Sequence, residues 1–310
     1  MKRIAIALLT IGVSAISPSL SIARVNPTTI LGGEYKNGME PSKTNVTNPQ
    51  AVASVAIGGR NALQISLDYA WKGDPLDWDR LGSPGFAQRV QFVEKSGVKA
   101  RPGRDYWYSV SFLVPSSDPR VQGHSLSLMD FKHTISADGS VPSVQLAIQA
   151  EGFKIIENLD SPWTCGSYRN VDGYQTPACN RIDTNAVISS QAGVSDRWVQ
   201  VVMHARWDAV GGVLEIWIDG KPIMGFSGDT LRGAQNVQFK FGPYRHHMTG
   251  DPGVETIYYS GVSRAATCEL LGTVDCSAVA ARPPNPGLQN VSRIHHDVFN
   301  ELDEMHAQGR

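Results

Sequence analysis

The most restrictive feature of this sequence is an alternation of apolar and polar residues with period two, which recurs in segment after segment. Successive side chains of a β-strand point to opposite faces, so the pattern predicts strands that bury one face. Turn-forming residues separate the segments, and the chain has almost no long amphipathic helical pattern. The predicted strands are 62–69, 89–93, 105–114, 125–133, 143–149, 197–207, 212–218, 238–247 and 255–262. They predict an all-β antiparallel sandwich, a jelly roll of the concanavalin type with a concave substrate groove.

The segment around Phe239 shows this alternation most sharply. Phe239 and Phe241 share one face of the predicted strand, whereas Lys240, Gly242 and Tyr244 share the other. Alternate residues lie roughly 6.6 Å apart along a strand, so Gly242 is expected to leave a bare spot where a sugar ring can approach the backbone. A half-exposed strand with solvated polar residues is the alternative interpretation of this segment taken alone.

The first residues have the pattern of an export signal. Lys2 and Arg3 form a short basic region, residues 4–16 form an apolar run, and residues 21–23 (Ser-Ile-Ala) form a small-x-small cleavage pattern. The apolar run is too short to remain as a membrane anchor. We therefore expect a signal peptide over 1–23, and a soluble mature protein that is secreted or periplasmic.

The remaining chain is long enough for one large β domain or two smaller ones. We predict a jelly-roll domain over 24–276 and a Pro-rich linker and tail over 277–310, in which 290–306 is compatible with a short helix. A net charge of -1 argues against a generally basic nucleic-acid-binding protein and gives no membrane-surface signal. We expect no nucleic acid or membrane partner, and a monomer.

Four cysteines form an even set, which favours disulfides in a chain predicted to be exported. Pairing of sequence neighbours is the simplest of the three connectivities. A zinc site is the alternative, but neither a CxxC spacing nor an adjacent histidine supports it. The expected disulfide cysteines are Cys165 with Cys179 and Cys268 with Cys276.

Four motifs follow one another in the second half of the chain. They are Arg197 to Trp207, the hairpin Glu215 to Lys221, Phe239 to Arg245, and Ile257 to Tyr259. Their order resembles secreted polysaccharide lyases of the glucuronan lyase and heparin lyase I kind, which have a jelly-roll fold. Alginate lyases of the same fold carry a similar Phe-Lys-x-Gly-x-Tyr strand. The resemblance covers roughly residues 60 to 262.

The resemblance implies a catalytic assignment. The residue matching the family's base and acid is Tyr244, with Lys240 assisting it, and Arg89 matches an arginine of the substrate groove. The family also has a Gln-x-His pair on a central strand. Asp130 and Lys132 occupy those two places here, unless the register moves by one residue.

With that shift, His133 takes the catalytic role of the family histidine. Gln91 likewise stands where relatives often have Glu. These departures leave open an altered substrate, or a binding protein derived from a lyase.

The same residues suit β-elimination from a uronic acid on chemical grounds. The reaction needs a neutralised C5 carboxylate, a base for the C5 proton and an acid for the departing oxygen. A tyrosine side chain ordinarily has a pKa of ~10, and cations such as Lys240 or Arg245 are expected to favour the phenolate. The candidates to bind the substrate and its carboxylate are Arg89, Gln91, Asp130, Lys132, His133, Gln145, Arg245 and His246.

Two other functions remain open at this stage. A non-catalytic, lectin-like carbohydrate-binding protein would use the same groove without Tyr244 as base. A β-sandwich glycoside hydrolase would need two carboxylates flanking the bond. Glu215 and Asp219 are spaced by four residues, but Asp219 belongs to a turn, and the Glu-x-Asp-x-x-Glu motif of laminarinase-type enzymes is absent.

No cofactor is required for the proposed chemistry, and we do not predict a metal site. Calcium stays open, because Asp74, Asp77 and Asp79 form an acidic loop of the kind that supplies carboxylate oxygens. Three acids in a loop are more often simply solvated.

Overall fold

The computed structural model describes residues 23–24, 30–41, 50–68, 88–116, 125–133, 142–149, 152–157, 168–171, 174–177, 184–231, 233–246 and 253–279. The predicted leader up to residue 22, the acidic loop of Asp74, Asp77 and Asp79, the pair Cys165 and Cys179, and the tail over 280–310 lie outside the described residues. Within the described part of the chain, no helix is long and apolar enough to cross a bilayer.

The described residues form nineteen strands and little helix. The strands are β1 (Ala23–Arg24), β2 (Leu31–Gly33), β3 (Met39–Pro41), β4 (Val52–Ile57), β5 (Arg60–Asp68), β6 (Gln88–Arg89), β7 (Phe92–Glu94), β8 (Asp105–Leu113), β9 (Ser125–His133), β10 (Pro142–Gln149), β11 (Gly152–Glu157), β12 (Tyr168–Val171), β13 (Tyr174–Pro177), β14 (Thr184–Ser189), β15 (Trp198–Arg206), β16 (Gly212–Ile218), β17 (Lys221–Gly228), β18 (Val237–His246) and β19 (Val254–Ala265). The helical pieces are α1 (Gln191–Val194) and 3-10 turns at Glu34–Lys36, Ser96–Val98 and Glu269–Leu271.

The strands build two large sheets. The first has the order β1-β4-β5-β19-β8-β15-β16-β17, with β2 beside β19, and the second has the order β14-β11-β10-β9-β18-β7-β3, with β6 beside β18. Strands β12 and β13 form a separate ribbon. Neighbouring strands run antiparallel, apart from the parallel pair β2 and β19. The predicted all-β antiparallel sandwich of the jelly-roll type is confirmed.

The core lies between the two sheets and is rich in aromatic rings. Phe112 of the first sheet meets Phe153 of the second at 5.4 Å between ring centroids, and Tyr259 meets Phe241 at 5.4 Å. Full burial of a large apolar side chain is worth about 1.5–3 kcal/mol, and edge or tilted aromatic pairs add to this. The inner faces of both sheets are therefore fixed by packing, which leaves the outer faces for polar residues.

The predicted strands are found close to their predicted bounds, with two differences. The segment 89–93 is divided into β6 and β7 at Val90 and Gln91, where the neighbouring strand β18 is irregular between Phe241 and Tyr244. The region 158–196, which lacks sustained periodicity, contributes β12, β13, β14 and α1. Short strands of this kind are set by their neighbours in the sheet, and the sequence pattern alone does not reveal them.

A disulfide closes the segment after β19. Cys268 and Cys276 are bonded at 2.04 Å, as the nearest-neighbour pairing predicted. Residues of this segment, Cys268 and Leu271 among them, pack on Val202 and Trp217 on the outer side of the first sheet. This outer layer covers part of the first sheet and lies away from the second.

Candidate active site

Strand β18 presents the two faces that its sequence predicts. Phe239 and Phe241 are buried in the core, where they stack on Tyr35 at 5.6 Å and on Phe92 at 5.2 Å between ring centroids. Lys240 and Tyr244 are partly exposed on the opposite face of the strand. The alternation is therefore a property of the fold, and it directs both functional candidates away from the core.

Gly242 has a different role from the one its sequence position suggested. Its φ is 118°, and a Cβ atom added there would lie 2.3 Å from the carbonyl oxygen of Val90. The amide N–H of Val90 also donates to the carbonyl oxygen of Pro243 at 3.1 Å. The predicted bare spot for a sugar ring is wrong, because the neighbouring backbone fills it. Glycine is needed here so that the chain before β7 can approach β18.

That close approach places Arg89 and Gln91 next to β18, on the face predicted for them. Arg89 pairs with Tyr244 in the sheet, and its guanidinium carbon lies 5.2 Å from the centroid of the Tyr244 ring. The Nε2 atom of Gln91 donates to Oδ2 of Asp130 at 3.2 Å.

The strands on the other side of β18 contribute the remaining side chains. Asp130 of β9 pairs with Lys240 on one side and with Gln145 of β10 on the other. Lys132 lies two residues further along β9 and is partly exposed, whereas Asp130 and Gln145 are buried. We call the outward side of the second sheet at this place the polar face; its members are Arg89, Gln91, Asp130, Lys132, Gln145, Lys240 and Tyr244.

His133 lies on the opposite side of the sheet from the polar face. This position contradicts the one-residue shift of register that would give His133 the place of the family histidine. Its side chain is 0% exposed, and its ring meets Trp207 of the core edge-on at 6.0 Å. Alternation along β9 explains this position, because Phe131 is also in the core and Lys132 points outward. The predicted catalytic role of His133 is withdrawn.

Arg245 also points away from the polar face. It is 1% exposed, and its Nε atom donates to Oε1 of Gln88 at 2.9 Å, while its Nη1 atom lies 3.8 Å from Glu255. The predicted substrate contact and the predicted support of the Tyr244 phenolate by Arg245 are corrected: Arg89 is the arginine beside that ring. The side chain of His246 lies outside the described residues.

Asp130 is the electrostatic centre of the polar face. It is 4% exposed, and its Oδ1 atom has no hydrogen-bond partner among the described residues. Burial raises the pKa of the Asp130 carboxyl above its ordinary value, although Lys240, Lys132, the Gln91 hydrogen bond and Arg89 all lower it. A buried carboxylate that accepts so few hydrogen bonds is costly to ionise, so a proton or a hydrogen-bond donor from a ligand would stabilise Asp130.

Three residues near the site were not singled out from the sequence. Lys154 of β11 pairs with Ala147 and joins the outward side of the same sheet, and it is buried. Ser127 pairs with Tyr244, and no other described residue forms a hydrogen bond with its buried Oγ. Glu94 lies on the inner side beneath β18. Alternation within β11 gives some signal for Lys154, but the sequence gives none for the other two.

Glu94 is the centre of a buried ionic cluster that joins the two sheets. The Tyr35 hydroxyl donates to its Oε1 at 2.7 Å, Arg264 Nη1 donates to the same atom at 2.6 Å, and the Phe239 amide donates to Oε2 at 2.9 Å. Arg264 also binds Glu34, and its guanidinium carbon lies 4.8 Å from the centroid of the Tyr106 ring. The Glu94 cluster (Glu94, Tyr35, Arg264 and Glu34) holds β18, the strand that carries Lys240, from the inner side of the sheet.

The carboxylates considered for hydrolysis are engaged elsewhere. Glu215 binds Nδ1 of His204 at 2.8 Å, and Asp219 accepts from Arg197 at 2.7 Å and from the Gln200 amide at 2.8 Å. Both belong to the first sheet and its hairpin. Within the described ranges, no group of three or more His, Cys, Asp or Glu side chains could hold a metal ion.

A family model described as polysaccharide lyase matches residues 28–263 of this chain. The chain therefore belongs to the polysaccharide lyase family, and the predicted family is confirmed. The protein is a polysaccharide lyase. No curated protein matches it at a significant level.

Solved structures of lyases are similar to this chain at low identity. An endo-β-1,4-glucuronan lyase from the fungus Trichoderma reesei is 17% identical, with 86% of this chain and 94% of that chain covered and a TM-score of 0.48. An alginate lyase from Chlorella virus is 11% identical, with 73% and 91% covered and a TM-score of 0.44. Alginate lyase AlyC3 in complex with dimannuronate is 10% identical, with 71% and 79% covered and a TM-score of 0.47.

Proposed function

We propose that this lyase cleaves an acidic, uronate-containing polysaccharide by β-elimination, with Tyr244 as the base and then the acid. The observation that carries the proposal is the position of Arg89, whose guanidinium carbon lies 5.2 Å from the centroid of the Tyr244 ring. Lys240 shares the same face of β18. The two cations thus lie on the face from which Tyr244 would accept the C5 proton.

The charges around Tyr244 suit an anionic polymer. Among the described residues, the outward side of the second sheet carries more cations than carboxylates. The cations are Arg89, Lys132, Lys154 and Lys240, and the carboxylates are Asp130 and Glu40. A local excess of positive charge on a chain of net charge -1 attracts a polyanion to this face.

The reaction needs no group beyond these side chains. The Tyr244 oxygen removes the proton at C5 of the uronate, and the C–H electron pair becomes the C4–C5 double bond. The bond from C4 to the bridging oxygen breaks, and that oxygen takes the proton from Tyr244. Lys240 and Lys132 stabilise the charge that develops on the substrate carboxylate.

Export of the enzyme is part of the proposal. The amino-terminal pattern of residues 1–23 and the Cys268–Cys276 bridge support it, because disulfides persist in oxidising compartments.

The proposal is tested by incubating the full-length protein separately with glucuronan, alginate and heparin. We expect at least one polymer to give the ultraviolet absorbance of an unsaturated uronate product. Absence of that signal on all three would overturn the uronate assignment. New reducing ends without the absorbance would indicate hydrolysis instead of elimination.

Replacement of the base is the second test. Tyr244→Phe is expected to lower the turnover of the cleaved polymer by about 10²- to 10⁴-fold, because the proton acceptor is lost. Binding of the polymer should persist. The matched control is Tyr106→Phe, which loses a hydroxyl that accepts from the Arg101 amide at 2.9 Å within the fold. Equal turnover by the wild type and Tyr244→Phe would exclude Tyr244 as the base.

A further inference from the structure

Asp130 is the residue of the polar face whose chemistry the proposed reaction does not yet use. Its Oδ2 atom accepts from Nε2 of Gln91 at 3.2 Å, and within the described part of the chain its buried Oδ1 atom has no hydrogen-bond partner. An unsatisfied buried oxygen is destabilising, so a fold retains one where a ligand or a proton will satisfy it. Asp130 belongs to the polar face, where the substrate is expected.

The groups that surround Asp130 come from four strands and a connecting segment. They are Lys240 of β18, Lys132 of β9, Gln145 of β10, Arg89 of β6, and Gln91 between β6 and β7. Three of these are cations, which favour an ionised Asp130. Burial has the opposite effect and prevails, so the pKa of the carboxyl is raised.

A uronate carboxylate on this face changes the balance further. It brings a second negative charge close to Asp130 and competes for the same cations, and two neighbouring carboxylates do not both stay ionised at low cost. Asp130 is the member already buried and short of donors, so it is the one that takes up the proton. The buried Oδ1 atom then has a hydrogen to donate.

We infer that Asp130 is a proton-carrying substrate-recognition residue, whose Oδ1–H donates a hydrogen bond to the uronate carboxylate and so helps to neutralise it. This inference rests on the proposed function. Gln91 fixes the orientation, since its N–H donates to Oδ2 and leaves Oδ1 as the protonated oxygen. Substrate binding is thereby coupled to the uptake of one proton, and recognition weakens as the pH rises above the range in which Asp130 holds that proton.

The experiment compares the wild type with Asp130→Asn and Asp130→Ala on the polymer that the wild type cleaves. Asparagine still offers an N–H donor at this position without needing a proton, whereas alanine offers none. Asp130→Asn is expected to keep kcat/KM within about tenfold at mildly acidic pH and to lose the wild-type decline at alkaline pH. Asp130→Ala should lose about 10- to 100-fold at every pH. Thermal unfolding of both variants establishes that they are folded.

A binding measurement supplies an arm that does not depend on turnover. In the Tyr244→Phe background, calorimetry with an oligosaccharide of that polymer, in buffers of different ionisation enthalpy, should show uptake of about one proton. Uptake should vanish in the Tyr244→Phe, Asp130→Asn double variant, and with a carboxyl-reduced oligosaccharide.

The outcomes separate the two claims. If the wild type cleaves a uronate polymer but folded Asp130→Asn is as inactive as Asp130→Ala, the carboxylate itself is required and the inference is wrong. An unchanged alkaline decline in Asp130→Asn, or binding without proton uptake, would overturn it as well. If the wild type neither cleaves nor binds any uronate polymer, the proposed function fails first and the inference falls with it.

Discussion

Two buried carboxylates flank β18, one on each side of the same sheet. From the described residues Glu94, which is 1% exposed, accepts three hydrogen bonds at 2.6 to 2.9 Å, whereas Asp130, which is 4% exposed, accepts one at 3.2 Å. The two carboxylates are buried to nearly the same extent, but they accept different numbers of hydrogen bonds. A buried carboxylate whose hydrogen bonds all come from the fold has a structural role. A buried carboxylate that accepts few hydrogen bonds is a candidate site for a ligand that donates the missing ones.

The partners of each group lead to the same distinction. Glu94 reaches Arg264 of the opposite sheet and so ties the two sheets together, while the described groups around Asp130 lie on strands of its own sheet or, like Gln91, between two of them. Burial raises the pKa of the Glu94 carboxyl to about 7, although Arg264, the Phe239 amide and the Tyr35 hydroxyl lower it. Removing Glu94 should therefore disturb stability, and changing Asp130 should disturb recognition.

The largest expected effect comes from removing the cation of the Glu94 cluster. Arg264→Met should lower the free energy of unfolding by about 3–5 kcal/mol, because it leaves a buried carboxyl without its main partner. Asp130→Asn should change it by less than about 1 kcal/mol, since it removes no satisfied ion pair. Denaturant unfolding measures both.

The matched control is Arg197→Met, which breaks an exposed pair with Asp219 at 2.7 Å and should cost about 0–1 kcal/mol. Comparable losses in Arg264→Met and Asp130→Asn would remove the distinction between the two carboxylates.

The next effect tests the backbone that holds Gln91 against Asp130. Gly242→Ala puts a methyl group 2.3 Å from the Val90 oxygen at a φ of 118°, so we expect a loss of about 2–4 kcal/mol. Activity should fall as well, since Arg89 and Gln91 must move. Gly59→Ala, at a φ of 73° with open space around the added carbon, is the control for backbone strain alone. Equal losses in stability and unchanged activity would show that the close approach is unimportant.

The smallest effect is a dependence of stability on pH. The pKa of the Glu94 carboxyl is about 7 in the folded chain against an ordinary 4.5, so the folded state binds the extra proton between these values. The free energy of unfolding should then fall as the pH rises from about 4.5 through about 7, by roughly 3 kcal/mol. Glu94→Gln should flatten that part of the profile. A slope that persists in the variant would assign it to another group.

Much of the fold and half of the site followed from alternation along the strands. The outward position of Lys240 and Tyr244 was predicted because Phe239 and Phe241 identify the inner face of β18. The same rule, applied strictly, places Arg245 inside, and its residue type had suggested otherwise. A charged side chain can be buried where the fold supplies Gln88 and a carboxylate nearby.

The rest depends on contacts between distant parts of the chain. Glu94 meets a tyrosine 59 residues away and an arginine 170 residues away, and no local pattern reports such pairs. The position of Gln91 against Asp130, 39 residues apart, is equally non-local. Alternation gives the face of a residue, but only the sheet order gives its neighbours across the sheet.

An irregularity in β9 has a consequence for how such enzymes can diverge. Ala147 of β10 pairs with Ser127 and Leu146 pairs with Met129, so Leu128 is an extra residue, and its carbonyl oxygen accepts from the Tyr259 hydroxyl at 3.0 Å. Leu128 and Met129 both lie in the core, while Asp130 and Ser127 on either side face outward. During evolution, point substitutions can alter the outward-facing residues one at a time. Loss of a single residue here would exchange the inward and outward side chains of β9 on one side of the deletion. The length of β9 should therefore vary less among relatives than its outward residues do.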